Sequence, residues 1–209
     1  MDRYPQHDVI LATPEGEIRV RSFCRPEDVR RARFDEGFAE DEGYRPLYRP
    51  EALMRAADAP GAEVLLALAG DRIVGYGILC RPGPEERWAA MDEVMEVGAI
   101  ETSRSRRGRG IAGALLGLLV RHPRIEDWAV VVTGYSWSWD LSGSGLDAVG
   151  YRRMMVRLFA PWGFAEHATN EPNLCLKPEN VFLARIGAAL PAAARQRFKW
   201  LCYGVKSSA

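Results

Sequence analysis

From residue 104 to 110 the chain reads Arg-Ser-Arg-Arg-Gly-Arg-Gly, four arginines and two glycines in seven residues. Ten residues follow, Ile111 to Val120, that are all apolar or glycine and contain no proline. Just before the basic run, Val97 to Thr102 is short and apolar enough for a buried strand. The expected order is strand, basic glycine loop, apolar helix. The first turn of a helix leaves several backbone N–H groups without intrahelical partners. Those donors, at the positive end of the helix dipole, suit phosphate. The arginines add fixed charge and forked donors. The stretch is therefore expected to be an anion cradle, most naturally for a pyrophosphate. The competing reading is an arginine-rich solvated turn ahead of an ordinary buried helix.

Two phosphate-binding patterns overlap here. Gly108-Arg109-Gly110-Ile111-Ala112-Gly113 fits G-x-G-x-x-G, but a dinucleotide site needs its first glycine directly after the strand and an acid ending the next one. Here Ser103 to Arg107 intervene, and Glu126 and Asp127 precede the next apolar run. A Walker A loop would need Gly-Lys-Ser/Thr, which is missing. Arg107-Gly108-Arg109-Gly110-Ile111-Ala112 also fits R/Q-x-x-G-x-G/A, and in this it resembles the acyl-CoA signature of the Gcn5-related N-acetyltransferase (GNAT) superfamily. The resemblance implies acetyl-CoA as the cofactor. It implies a strand, with Ile100 and Thr102, whose backbone pairs with the pantetheine arm. It also implies that backbone groups of Arg107, Gly108, Arg109, Gly110, Ile111 and Ala112 hold the pyrophosphate.

Composition narrows the partners. Lys+Arg and Asp+Glu both number 28, so no bulk charge draws the chain to nucleic acid or an anionic membrane. With 209 residues, 47% hydrophobic, it suits one domain with a sizeable core. Cys24, Cys80, Cys175 and Cys202 form no C-x-x-C pair, and His7, His122 and His167 show no metal-ligand spacing. Reduced cytosolic thiols and no bound metal are expected. The first residues show no apolar signal segment, and no apolar run is long enough for a transmembrane helix.

Taken in order, Asp8 to Ala12 and Glu17 to Ser22 read as strands about a Thr13–Gly16 turn. Pro26-Glu27-Asp28 opens a helix to about Phe34, Phe34 to Arg49 reads as a loop, and Pro50-Glu51 opens a short helix to about Ala57. Glu63 to Ala69 and Arg72 to Cys80 form a hairpin around Gly70-Asp71. After the cradle the helix ends at Arg121-His122-Pro123, where His122 is expected to make a capping or dipole contact. Its Gly113 and Gly117 are expected to allow close packing. Trp128 to Tyr135 is the next strand and Leu146 to Phe159 an amphipathic helix. Phe164 to Thr169 and Val181 to Ile186 are further strands, and Pro191 starts a last helix. This order gives a mixed α/β class, expected as a single-domain GNAT fold with a central mixed β-sheet flanked by helices. The acyl-CoA-binding core is expected over about 62–169, with the N-terminal hairpin and helices before it and a strand and helix after it. Glu86-Arg87-Trp88, Glu96 to Glu101, Trp137-Ser138-Trp139-Asp140-Leu141 and Ala184-Arg185-Ile186-Gly187 together look like the acetoin-utilisation acetyltransferase family. That resemblance implies a protein-lysine acetyltransferase acting on acetyl-CoA synthetase.

Amine acetylation needs a base for the ammonium and donors for the developing oxyanion. Glu96 and Glu101 are the carboxylates near the cradle, and their odd spacing puts them on opposite faces of an unbroken strand. Glu96 stands eleven residues before Arg107, matching the base glutamate of histone-acetyltransferase relatives. It is the favoured base, the alternative being a salt-bridging glutamate, and Glu101 reads as structural. Many relatives carry an acidic tyrosine four residues before a Gly-Phe pair. Here the pair is Gly163-Phe164 and that position is Phe159, which donates no proton. Tyr135 and Tyr151 are the remaining candidates for the acid. Tyr135, Trp137 and Trp139 alternate ahead of Asp140. On a continuing strand they would form an aromatic wall for a lysine stem, with Asp140 attracting the ammonium; packing as a lid is the competing reading. Acetylation of a small amine and acyl-CoA sensing without turnover stay open as other functions.

Overall fold

The structure, a computed structural model, describes residues 4–41 and 44–205. Its class is mixed α/β, a multi-stranded sheet with helices against it. The chain divides into two compact units, residues 1–80 with 98–121, and residues 81–97 with 122–209.

The first unit opens with the antiparallel pair β1 (Asp8–Thr13) and β2 (Gly16–Arg21). Helix α1 (Pro26–Arg31) has Pro26 and two acids in its first turn and Arg30 and Arg31 in its last, matching the helix dipole. It stops sooner than expected, because Arg33–Phe34 (β3) turns extended and pairs in parallel with the start of β5. The segment expected as a loop thus contributes a short strand, and a 3-10 turn at Glu36–Phe38. Helix α2 (Pro50–Asp58) follows, then β4 (Glu63–Ala69) and β5 (Arg72–Cys80), the expected hairpin. Strand β6 (Val94–Thr102) gives this unit its C-terminal half and leads to α3 (Ile111–Leu119). The strand order is β1-β2-β4-β5-β6.

Apolar residues of β4 and β5 run nearly unbroken, as a sheet buried on both faces requires. Val64, Leu66, Ile73 and Tyr76 pack with Val29 of α1 and Leu53 of α2. Ile111 and Leu115 of α3 meet β5 at Gly75, where an added Cβ would lie 2.8 Å from Ile111 Cγ2. Close approach there is supplied by a strand glycine; of the two helix glycines, Gly113 faces open space and Gly117 is buried. Each fully buried leucine or isoleucine stabilises by roughly 1.5–3 kcal/mol, and α3 buries Ile111, Leu115, Leu116, Leu118 and Leu119.

In the second unit, Val94–Glu96 of β6 pair in parallel with β7 (Ala129–Gly134). Next come α4 (Leu141–Ser144), α5 (Ala148–Phe159), β8 (Ala165–Glu166), α6 (Pro172–Cys175), β9 (Val181–Ile186) and α7 (Ala192–Cys202). Strand β9 lies antiparallel between β7 and β8. Trp88 stacks on Phe182 at 4.4 Å, and both pack with Phe198 and Leu201 of α7. His122 accepts from the Arg124 amide at 3.0 Å and lies against Trp128, and burial lowers its pKa to about 4. The four cysteines are free thiols. No described helix is long and apolar enough to cross a membrane.

Candidate functional site

The basic loop leaves β6 where the Ser103 amide donates to the Val74 carbonyl at 3.0 Å. Arg104–Arg106 then form a 3-10 turn. Its anchor is Asp35, a buried carboxylate that accepts from the Ser105 hydroxyl at 2.6 Å, the Gly37 amide at 3.1 Å and the Ser103 hydroxyl. Burial works to raise the pKa of Asp35, but these bonds prevail and hold it below the usual carboxylate range. Residue 37 has to be glycine, since a Cβ there would lie 2.8 Å from the amide nitrogens of both Arg104 and Ser105 and would collide with the Ser103 hydroxyl.

The arginines are not the open cluster that their spacing suggests. Arg104 pairs with Asp41 and lies over the Tyr44 ring, 4.5 Å from its centroid. Arg106 reaches Glu15 at 3.2 Å and Asp35 at 3.9 Å, and Arg109 pairs with Glu15 through two nitrogens. Glu15, in the β1–β2 turn, is held below the usual carboxylate range first by its hydrogen bond from Arg109.

The backbone keeps what the arginines do not offer. Gly108 and Gly110 stand at φ +76° and +78°, left-handed values that glycine adopts without strain. Gly110 is the N-cap of α3, and no side chain caps that end. Space over Gly108 and Gly113 is open. The first-turn N–H groups, at Ile111, Ala112 and beyond, are therefore set for an anion. At the end of β6, the Thr102 hydroxyl is buried with no hydrogen-bond partner among the described residues. Ile100 packs its Cδ1 over Gly77. This donor set fits a phosphate ester.

The two glutamates of β6 have different surroundings. Glu101 accepts from Tyr44 at 2.6 Å, the Leu47 amide at 3.0 Å and the Tyr76 hydroxyl. That is the bonding of a structural anchor, which ties the segment before α2 to the strand. Glu96 is in register with Val131 of β7, is 9% exposed, and accepts from the Thr133 hydroxyl at 2.7 Å. Burial pushes its pKa up to about 7, with Thr133 opposing and Glu86 adding to the rise. A carboxyl that is half ionised near neutral pH suits proton abstraction.

The aromatic segment departs from the expected wall. The strand ends at Gly134, and Ser136–Ser138 form a 3-10 turn that folds the alternation up. Tyr135 and Trp137 stack on each other at 4.6 Å, whereas Trp139 stacks on Tyr151 at 5.0 Å. Trp137 is 59% exposed and carries the Lys177 ammonium 5.3 Å from its ring centroid. Asp140 is buried and caps α4 through the Gly143 amide at 2.9 Å, so its carboxylate serves the helix rather than an incoming ammonium. Phe159 is buried edge-on to Phe164 at 5.2 Å.

Sequence reasoning passed over Thr133 and Asp35. Thr133 had a signal, as the one polar residue in the run Ala129-Val130-Val131-Val132-Thr133. Asp35 had none, because its serine partners are 68 and 70 residues away.

Residues 27–130 match the acetyltransferase (GNAT) family model. Two acetoin utilization proteins AcuA, from Bacillus licheniformis and Bacillus subtilis, are each 31% identical over 195 residues, 92% of this chain and 91% of theirs. The crystal structure of an acetoin utilization protein from Exiguobacterium sibiricum superposes with a TM-score of 0.88 at 28% identity, covering 96% of this chain and 95% of that one. The GNAT domain of S. lividans PAT shares the fold, with a TM-score of 0.56 at 21% identity over 87% of this chain and 98% of that one. The chain thus belongs to the GNAT acetyltransferase family beside the acetoin utilization proteins, an N-acetyltransferase whose acyl donor is acetyl-CoA.

Proposed function

We propose that this acetyltransferase modifies a lysine on a protein, with acetyl-CoA synthetase the first candidate acceptor, and that Glu96 is its base. The observation that carries the base assignment is the buried Glu96 carboxyl, raised to about 7 and hydrogen-bonded by Thr133. Bound acetyl-CoA supplies the activated acetyl group. In this reading the backbone of Arg107 to Ala112 holds its pyrophosphate, and the β6 edge at Ile100 and Thr102 lies along the pantetheine arm. Glu96 takes the proton from the attacking amine. The exposed Trp137 ring already holds one lysine ammonium, that of Lys177, by a cation–π contact. An acceptor lysine would use the same chemistry, its stem against the ring. The AcuA relatives are named for acetoin utilisation, and this supports a place in acetate and acetoin metabolism. The whole chain acts as one acetyltransferase domain, in the cytosol.

The test compares kcat/KM on intact acetyl-CoA synthetase, on a short peptide with its target lysine, and on polyamines and amino sugars. The intact protein is expected to be the best acceptor. A far higher kcat/KM on a small amine overturns the protein-lysine reading. Glu96→Gln is expected to lose roughly 10²–10⁴-fold in rate at neutral pH, with acetyl-CoA affinity unchanged.

A further inference from the structure

With Phe159 where many relatives have a tyrosine, the departing CoA sulfur needs another source for its proton. Strand β7 offers one. Thr133 and Tyr135 are two residues apart, and Tyr135 keeps extended backbone, φ −106° and ψ 121°, past the end of the strand. Two residues along extended chain share a face. On that face Ala129 and Val131 belong to the core that Tyr135 packs against. Trp137 covers the outer side of the Tyr135 ring at 4.6 Å and 12°, so the phenol is held between core and tryptophan. Thr133 in turn donates to Glu96 at 2.7 Å.

We propose that Tyr135 is the general acid that protonates the departing thiolate of CoA, and that the Thr133 hydroxyl returns to it the proton collected by Glu96. The proposal rests on Glu96 being the base. The protons balance within the second unit. The amine nitrogen attacks the acetyl carbon, the C–N bond forms, and the surplus amine proton goes to Glu96. As the adduct collapses the C–S bond breaks with its electron pair on sulfur, which takes the phenolic proton. The phenolate takes the Thr133 proton, and Thr133 takes the one on Glu96. One amine proton has reached sulfur, and all three side chains are regenerated.

The charges around the phenol fit this task. Burial raises its pKa, Glu171, Glu86 and Glu96 push the same way, and the Thr133 hydroxyl opposes them. Beyond the phenol, the Lys177 ammonium lies 5.3 Å from the centroid of the Trp137 ring. A phenol so placed stays protonated until it is used, but alone it is a reluctant acid. The relay removes that difficulty, because a carboxyl titrating at about 7 is a stronger acid than a thiol, at about 8.5. Tyr151, the other tyrosine of interest, is stacked on Trp139.

The experiment measures wild type, Tyr135→Phe, Thr133→Val, Thr133→Ser and Glu96→Gln with two donors, acetyl-CoA and the acetyl thioester of an acidic aryl thiol. An aryl thiolate leaves without a proton. Tyr135→Phe is expected to lose at least about 100-fold with acetyl-CoA and less than about threefold with the aryl thioester. Thr133→Val should share that donor dependence and Thr133→Ser should restore activity. The thermal shift given by acetyl-CoA should be the same in all five proteins, which separates chemistry from folding and binding. A Tyr135→Phe enzyme that is fully active with acetyl-CoA, or equally impaired with both donors, overturns the proposal. A Glu96→Gln enzyme impaired with both donors keeps the base assignment even then, whereas one that matches wild type removes the base assignment itself.

Discussion

Glu63 is a carboxylic acid in the wrong solvent, and its cost can be worked out. It starts β4, is 2% exposed, and burial pushes its pKa from 4.5 up to about 8, with only the Phe23 amide opposing. Below pH 4.5 the group is protonated in both folded and unfolded chains, and stability is unaffected. As pH rises towards 8 the unfolded chain ionises and the folded one does not, so stability falls by about 1.36 kcal/mol per pH unit. At pH 7 that amounts to about 3 kcal/mol, rising to about 5 kcal/mol above pH 8. Glu63→Met keeps the length and removes the charge. Its stability relative to wild type should rise by about 3 kcal/mol between pH 4 and pH 7. For a chain of this size that is a Tm rise of about 6–12 °C. The assay is thermal unfolding of both proteins at half-unit steps from pH 4 to 9. Two curves that run parallel across that range would refute the argument.

Two further outcomes concern the cradle. Gly37→Ala, which drives a methyl against the Arg104 and Ser105 amides, should cost about 1–3 kcal/mol by overpacking. It should lower Tm by several degrees and weaken acetyl-CoA binding, as read by calorimetry; an unchanged dissociation constant would detach the Asp35 latch from the ligand. Acetyl-CoA at a hundred times its dissociation constant should stabilise the protein by ~2.7 kcal/mol. Gly110→Glu, at the left-handed N-cap of α3, should abolish that shift in differential scanning fluorimetry.

Local order was legible wherever pattern and punctuation agreed. The β4–β5 hairpin and β9 begin and end as their apolar runs do, and Pro26, Pro50 and Pro191 mark helix starts. Strand ends were harder. Nothing in Tyr135 to Trp139 distinguishes a continuing strand from a 3-10 turn, and the difference decides whether Trp139 faces Trp137 or Tyr151. Carboxylates were the least legible of all. Glu96, Glu101, Asp35 and Asp140 differ in role because of partners 37, 57, 68 and 3 residues away, and only the last of these lies within local reach. The motif put Gly108 and Gly110 at the turn into α3, where both take left-handed φ, and misjudged the arginines, since Glu15 and Asp41 come from distant turns.

That misjudgement has a consequence for selectivity. Arg104, Arg106, Arg107 and Arg109 carry four positive charges, and Glu15, Asp35 and Asp41 beside them carry three negative ones. A bare run of four arginines would collect any polyanion in the cell, RNA most of all, through the release of its counterions. With its own acids docked on it, the loop has little field left to attract such competitors from a distance. What remains is short-ranged and directional, the uncapped amide hydrogens at the head of α3, which favour a compact anion at close range. The acids of the β1–β2 turn and of the segment before α2 thus keep a basic loop from behaving as a nucleic-acid trap.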